Sequence, residues 1–261
     1  MTRDVTSTNR SFGPSISSLR NSGRKILRCS TDPHPLTTLS LSDTVELSLS
    51  DRNGVVQIVD KQAQARLDVS RRAAALFWEH GVAATSGDDI AAAAGLSTRT
   101  IWRYFRSKES CVEPLLAKSA ERFLDSARRW PHELSLIEHL AAEAIAYPLS
   151  PQDIEDEIAA LRIATLSGTD PALRTAYLMV HDEMERGLIP VIADRLGVPD
   201  DHLSARLYAA TVTGAFRVID EDVGHTVIVE GKPVSQDEVY TLIDRAIREA
   251  TDGRIGGPVR R

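Results

Sequence analysis

Apolar side chains recur at helical spacing from about Gln62 to Ala250 and show almost no periodicity before that point. Val69, Ala73, Leu76, Phe77 and His80 fall at i, i+4, i+7, i+8 and i+11, a mostly apolar stripe on a first helix that turns Arg71, Arg72 and Glu79 elsewhere. Gly81 ends that helix as a C-terminal glycine does. The stretch "TSGDDIAAAAG" (85–95) reads as a short second helix: Ser86 caps it, Asp89 sits at N3, acids fill the first turn and Gly95 closes the alanine run. Ser97 caps a third helix whose inward contacts are Ile101 and Phe105, at i and i+4. Two short helices joined by "AGLS" have the form of a helix-turn-helix, with glycine allowing the tight turn.

The helical pattern continues. "AERFLDSARR" finishes a fourth helix with Pro114 inside it, where the missing N–H predicts a kink. "SLIEHLAAEAIA" (135–146) makes a fifth, Ser150 with Pro151 starts a sixth, and Asp170 with Pro171 starts a seventh that Pro190 can bend. An eighth covers roughly 201–222, and a capping box of Ser235 and Glu238 opens a ninth that runs to Ala250. The β-branched run "TVIVE" (226–230) is read as a loop or helix connection. The expected fold class is all-α, in four parts: a disordered extension (1–60), a helix-turn-helix domain (61–116), a helical bundle (117–251) and a C-terminal tail (252–261).

Residues 1–60 differ in kind. Met1 to Ser50 holds 18 Ser or Thr and three prolines, too polar to offset the entropy of ordering. Only "TTLSLSDTVELSLS" (37–50) alternates well enough for a strand, and alone it would not persist. A start codon further downstream would account for the segment as well. There is no run of 18 apolar residues and no secretory apolar block, so a cytoplasmic location without membrane contact is expected. Cys29 and Cys111 lie in unrelated segments, which supports neither a disulfide framework nor a zinc site.

Charge changes the picture further. The formal net charge is −6, yet residues 1–60 carry +1, residues 61–129 carry +4 and residues 130–261 carry −11. A local potential steers a polyanion over a Debye length of about 10 Å, so the basic part can meet one while the acidic part is held away. On the third helix Arg99, Arg103 and Arg106 fall at i, i+4 and i+7, with Thr98 and Trp102 beside them. Like charges at that spacing repel in a free helix, and phosphates reverse the sign by neutralising them and releasing counterions. Thr98, Arg99 and Thr100 lead the helix and can reach base edges in a major groove, while the N–H of Trp102 and the O–H of Tyr104 suit phosphate oxygens. The bland alternative is a three-helix core with a solvated basic face.

These residues carry a resemblance. "RRAAALFWEHGVAATS", "DDIAAAAGLSTRTIWRYF" and "SKES" make residues 66–116 similar to the DNA-binding domain of TetR/AcrR family transcriptional regulators, with about a dozen positions in place, among them Phe77, Gly81, Gly95, Ser97, Thr100, Tyr104 and Lys108. The resemblance implies phosphate contacts from Thr85 and Ser86 at the start of the second helix and from Lys108 at the start of the fourth; helix N-termini favour anions in any case. Two positions depart from the family: Gly87 stands where an apolar residue usually packs, and Trp102 replaces the usual tyrosine.

In that family the second domain binds a small effector and dimerises through its last two long helices. "LRIATLSGTDPALRTAYL" (161–178) and "RLYAATVTGAFRVIDED" (206–222) resemble the subgroup with an acyl-CoA-like ligand-binding domain. Tyr147, Arg162, Tyr177 and Tyr208 are the candidate ligand contacts, with ordinary core roles as the alternative. Ala209, Ala210, Thr213, Gly214 and Ala215 allow close helix approach at a dimer seam, a pocket wall or a plain core contact. No phosphate loop, glycine-flanked serine nucleophile or paired histidines occurs, so no catalytic residue, metal ligand or cofactor is expected. The expected partners are operator DNA, a small effector and a second copy of the chain. The expected function is a repressor released by its effector. The alternatives are a constitutive regulator or activator, a protein-binding adaptor, and an enzyme assembled from distant residues.

Overall fold

The computed structural model describes residues 45–49 and 56–259, which belong to two units, Met1–Asp60 and Lys61–Arg261. In the first, β1 (Val45–Leu49) pairs antiparallel with β2 (Val56–Asp60), Val45 opposite Asp60 and Leu49 opposite Val56. The strand that the alternation over 37–50 allows when a partner supplies an edge is found at Val45–Leu49. The edge that "VELSL" lacks alone is supplied by the alternating "VQIVD", and the Asn53-Gly54 dipeptide between them is a hairpin signal. The disorder expected for residues 1–44 and 50–55 falls outside the described residues.

The second unit is all-α among its described residues. It opens with α1 (Lys61–His80), α2 (Gly87–Ala93) and α3 (Thr98–Tyr104), then a 3₁₀ turn (Glu109–Val112) and α4 (Glu113–Arg128). Gly81 and Gly95 hold φ of +86° and +67°, the left-handed conformation that lets the chain leave α1 and α2 sharply. The kink expected at Pro114 does not arise. The proline lies in the first turn of α4, where no intrahelical partner for its N–H is missed, and the next amide, of Leu115, bonds the Ser70 hydroxyl of α1 at 3.0 Å.

The rest of the unit comprises α5 (Leu136–Ala146), α6 (Pro151–Ser167), α7 (Pro171–Leu196), α8 (Leu203–Gly224) and α9 (Gln236–Ala250). Ser135, Ser150 and Ser235 each close a capping box, and Asp170 caps α7. Pro190 lies within an uninterrupted α7. The "TVIVE" region is a π-helical turn, His225–Val229, that extends α8. The C-terminal residues are not the tail expected from 252 on. Ile255 is 2% exposed, Gly256 and His132 accept amide bonds from Leu136 and Val259, and Arg195 stacks on Trp130 while donating to the Gly257 carbonyl.

Two apolar cores adjoin, and the first crosses the expected domain boundary. Val69, Phe77, Ile90, Ile101, Phe105 and Leu115 pack in one cluster with Ile163 of α6 and Leu173, Tyr177 and Val180 of α7. A charged network reinforces the junction. Asp156 of α6 takes Arg71 of α1 at 2.8 Å and Lys118 of α4 at 2.6 Å, and Lys118 also holds Asp153. Burial alone would raise Asp156, but the hydrogen bonds from Arg71 and Lys118 hold it at about 2.

Candidate nucleic-acid interface

α3 is only seven residues long, too short to persist by itself, so its rigidity comes from its surroundings. Ser97 caps it by accepting the Thr100 amide, and the two hydroxyls lie 2.9 Å apart. Ile101 is fully buried and Phe105 nearly so, pinning its inner face to the first core. Thr98 donates to Asp88 at 2.6 Å, which ties the start of α3 to the first turn of α2. α2 is fixed in turn by its capping box, in which Ser86 and Asp89 satisfy one another; those bonds hold the Asp89 carboxylate below its usual range.

The two departures from the family pattern prove to be one feature. A Cβ placed on Gly87 would lie 2.2 Å from Cζ2 and 2.7 Å from Cη2 of Trp102. The indole therefore occupies the space that an apolar side chain on α2 would take. Gly87 makes room, and Trp102 does the packing from the other helix. With 46% of its surface exposed, the same indole still presents an edge outward beside the arginines.

The cationic face is smaller than the sequence suggests. Arg99 and Arg103 are exposed and meet no carboxylate among the described residues; Arg103 instead lies 5.0 Å from the Tyr104 ring and donates to its hydroxyl at 3.1 Å. Arg106 is different. Its helix has already ended at Tyr104, and it forms a two-pronged ion pair with Glu113. Seven residues separate the partners across a loop, and no local sequence signal announces that bond.

Other expected contacts are also placed by the structure. Thr85 is 3% exposed and gives its hydroxyl to the Gly81 carbonyl at 2.9 Å, so its side chain is turned inward and is not offered to phosphate. Ser86 is exposed, but its hydroxyl and its own amide both donate to the Asp89 carboxylate, and the Asp89 amide donates back to the Ser86 hydroxyl oxygen. Lys108 spends its ammonium on the carbonyls of Val82 and Thr85, at 2.6 and 2.8 Å, and so fastens the turn between α1 and α2. The hydroxyls of Ser97, Thr98 and Thr100 are engaged within the protein, which leaves the methyl groups of the two threonines for apolar contact. What projects with unspent donors is the set Arg99, Trp102, Arg103 and Tyr104.

The four expected ligand contacts do not form one site. Tyr147 is 62% exposed at the end of α5 under the Arg129 guanidinium, which corrects its pocket role. Arg162 lies over Trp78 of α1, Tyr208 is half-buried against the second core, and Tyr177 is buried in the first. No helix is long and apolar enough to cross a membrane, and no group of metal-binding side chains occurs among the described residues.

Residues 71–115 match the family model described as bacterial regulatory proteins, tetR family. A curated relative, the HTH-type transcriptional regulator TcmR of Streptomyces glaucescens, is 28% identical over 167 residues, covering 62% of this chain and 74% of that one. Among solved structures, similarity extends to a TetR-family transcriptional regulator from Mesorhizobium loti (17% identical, TM-score 0.47, covering 74% of this chain and 98% of that one). It extends also to the fatty acid degradation regulator FadR of Bacillus halodurans (18%, 0.44, 72% and 95%). The matched stretch spans the capped helix-turn-helix and its outward arginines, so this part of the chain is similar to the tetR family of bacterial regulatory proteins.

Proposed function

We propose that the protein is a repressor that binds a two-fold symmetric operator as a homodimer and leaves it when a small effector enters the bundle. Two copies of α3 would lie in successive major grooves about 34 Å apart. The observation that carries this reading is the pair Arg99 and Arg103, unmatched by any carboxylate among the described residues and held on a helix locked by Ile101, Trp102 and Thr98. Fixed cations without an internal carboxylate gain by neutralising phosphate or by reading guanine edges. The first core supports a switch, because it joins α1–α3 to α6 and α7, so a ligand that shifts those helices also moves the reading helix. A tenfold loss of DNA affinity needs only about 1.4 kcal/mol of differential ligand binding between the two states. On this reading the protein is a binder and not a catalyst, acting in the cytoplasm.

The test is selection of duplexes from a random library by the full-length protein, followed by anisotropy titration of the selected sequence. The expected result is a palindromic consensus, with Arg103→Ala weakening binding about tenfold and lowering the salt slope by about 1. Absence of any enriched sequence, or an Arg103→Ala titration matching the wild type at every salt concentration, overturns the reading.

A further inference from the structure

Four threonines in the described α-helices, Thr165, Thr175, Thr211 and Thr241, and Thr251 at the end of α9, give their hydroxyls to the carbonyl four residues back, at 2.7 to 3.0 Å. Thr213 of α8 does not. It is 5% exposed, and its hydroxyl has no partner. On α7, the Tyr177 hydroxyl and His181 Nδ1 are likewise buried and unpartnered, with the two rings edge to face at 4.5 Å. The bond from Arg174 to Glu221, at 2.6 Å, ties α7 to α8, and in an antiparallel pair held at that point Thr213 falls opposite Asp182, the neighbour of His181. Three orphaned polar groups therefore sit on two helices that this bond ties together, two on α7 and one on α8. Buried groups normally find partners, and each that does not carries its full desolvation penalty.

The electrostatics narrow the ligand. Glu221 is shared by Arg174 and Arg217, leaving one guanidinium charge in surplus. The half-buried Asp220 is raised by burial and by Glu157 and Glu221, which makes it a weak anion. Burial, with Arg217, pushes His181 down to about 4, so its ring is neutral at pH 7. One surplus positive charge suits one negative charge and not a polyphosphate. The flanking Leu173, Val180 and Ile163 are apolar.

We infer that the α7–α8 seam binds a small hydrophobic monocarboxylate, whose oxygens accept from Tyr177 and Thr213 and whose charge is met by Arg174 and Arg217. This deepens the proposed effector response and rests on it only for its consequence at DNA. The test is thermal denaturation and calorimetric titration of the full-length protein with 2-naphthoate and with decanoate, using 2-naphthamide as the uncharged control. At least one acid raises the unfolding midpoint, and the amide binds at least tenfold more weakly than 2-naphthoate. Tyr177→Phe and Thr213→Val keep or raise the ligand-free midpoint, because each removes an unpaired buried hydroxyl, and each weakens acid binding at least tenfold. No midpoint shift with either acid, or a shift that survives both substitutions, overturns the site. Binding of an acid with unchanged affinity for the selected duplex overturns the switch in the proposed function and leaves the site standing.

Discussion

The helix-turn-helix head and the bundle leave different groups unmatched. In α2 and α3 the hydroxyls are nearly all spent on neighbours, while Arg99 and Arg103 face solvent without carboxylates among the described residues. Along α7 and α8 the arginines Arg174, Arg186 and Arg217 each meet a carboxylate, and the unmatched polar groups Tyr177, His181 and Thr213 are buried. Arg66, whose Nε is buried beneath the first core's Phe105, is the exception in the head. A polyanion as large as DNA can be met only by groups that project. A molecule small enough to be enclosed can be met by groups that do not.

The largest expected effect tests the outward half of this contrast. Removing both free arginines, Arg99→Ala with Arg103→Ala, lowers affinity for the selected duplex about a hundredfold, about 2.7 kcal/mol, and reduces the salt slope by about 2. Circular dichroism and the unfolding midpoint stay as in the wild type, since neither side chain pairs with a carboxylate.

Next comes the junction between the two regions. The folded Asp156 has its pKa below the unfolded value of 3.8, so its contribution is complete above about pH 4 and disappears as pH falls toward 2. Asp156→Asn costs about 2 kcal/mol at pH 7 and flattens the acid limb of the stability curve, as followed by urea denaturation from pH 7 to pH 2. An unchanged acid limb would remove the network from the account of how head and bundle are joined.

Gly87→Ala probes positioning. The new methyl displaces the Trp102 indole, a movable side-chain end, so stability changes by about 1 kcal/mol or less while the Trp102 indole N–H resonance shifts and DNA affinity falls. Adding Trp102→Leu to Gly87→Ala relieves the clash and returns α3 to its seat, read as a recovered unfolding midpoint. The smallest effect is that of Arg106→Ala. Its charge is already answered by Glu113, so DNA affinity changes by less than about 0.5 kcal/mol in the same titration, against about tenfold for Arg103→Ala.

Much of this was legible in the sequence because the signals are local. Ser86, Ser97, Ser150 and Ser235 announce their helices through capping bonds that span three residues, and each cap is found where the pattern put it. Gly81 and Gly95 mark turns through their own backbone freedom. The second strand was missed although its signal was present in "NG" and "VQIVD", because the Ser/Thr-rich composition around it suggested disorder. Pro114 was misread because the 3₁₀ turn before it moved the true start of α4 by several residues.

The sequence by itself determined that this chain is helical, where its helices begin and that a basic helix-turn-helix lies near residue 100, since period, caps and charge spacing act over a few residues. Tertiary structure alone decided which charges remain available. Arg106 meets Glu113, Lys108 reaches two carbonyls more than twenty residues upstream, Gly87 yields to Trp102, and Thr213 is left without the bond that Thr165, Thr175, Thr211 and Thr241 make. Whether a polar group is spent or spare depends on partners that folding delivers from distant positions, and no local pattern encodes that distance.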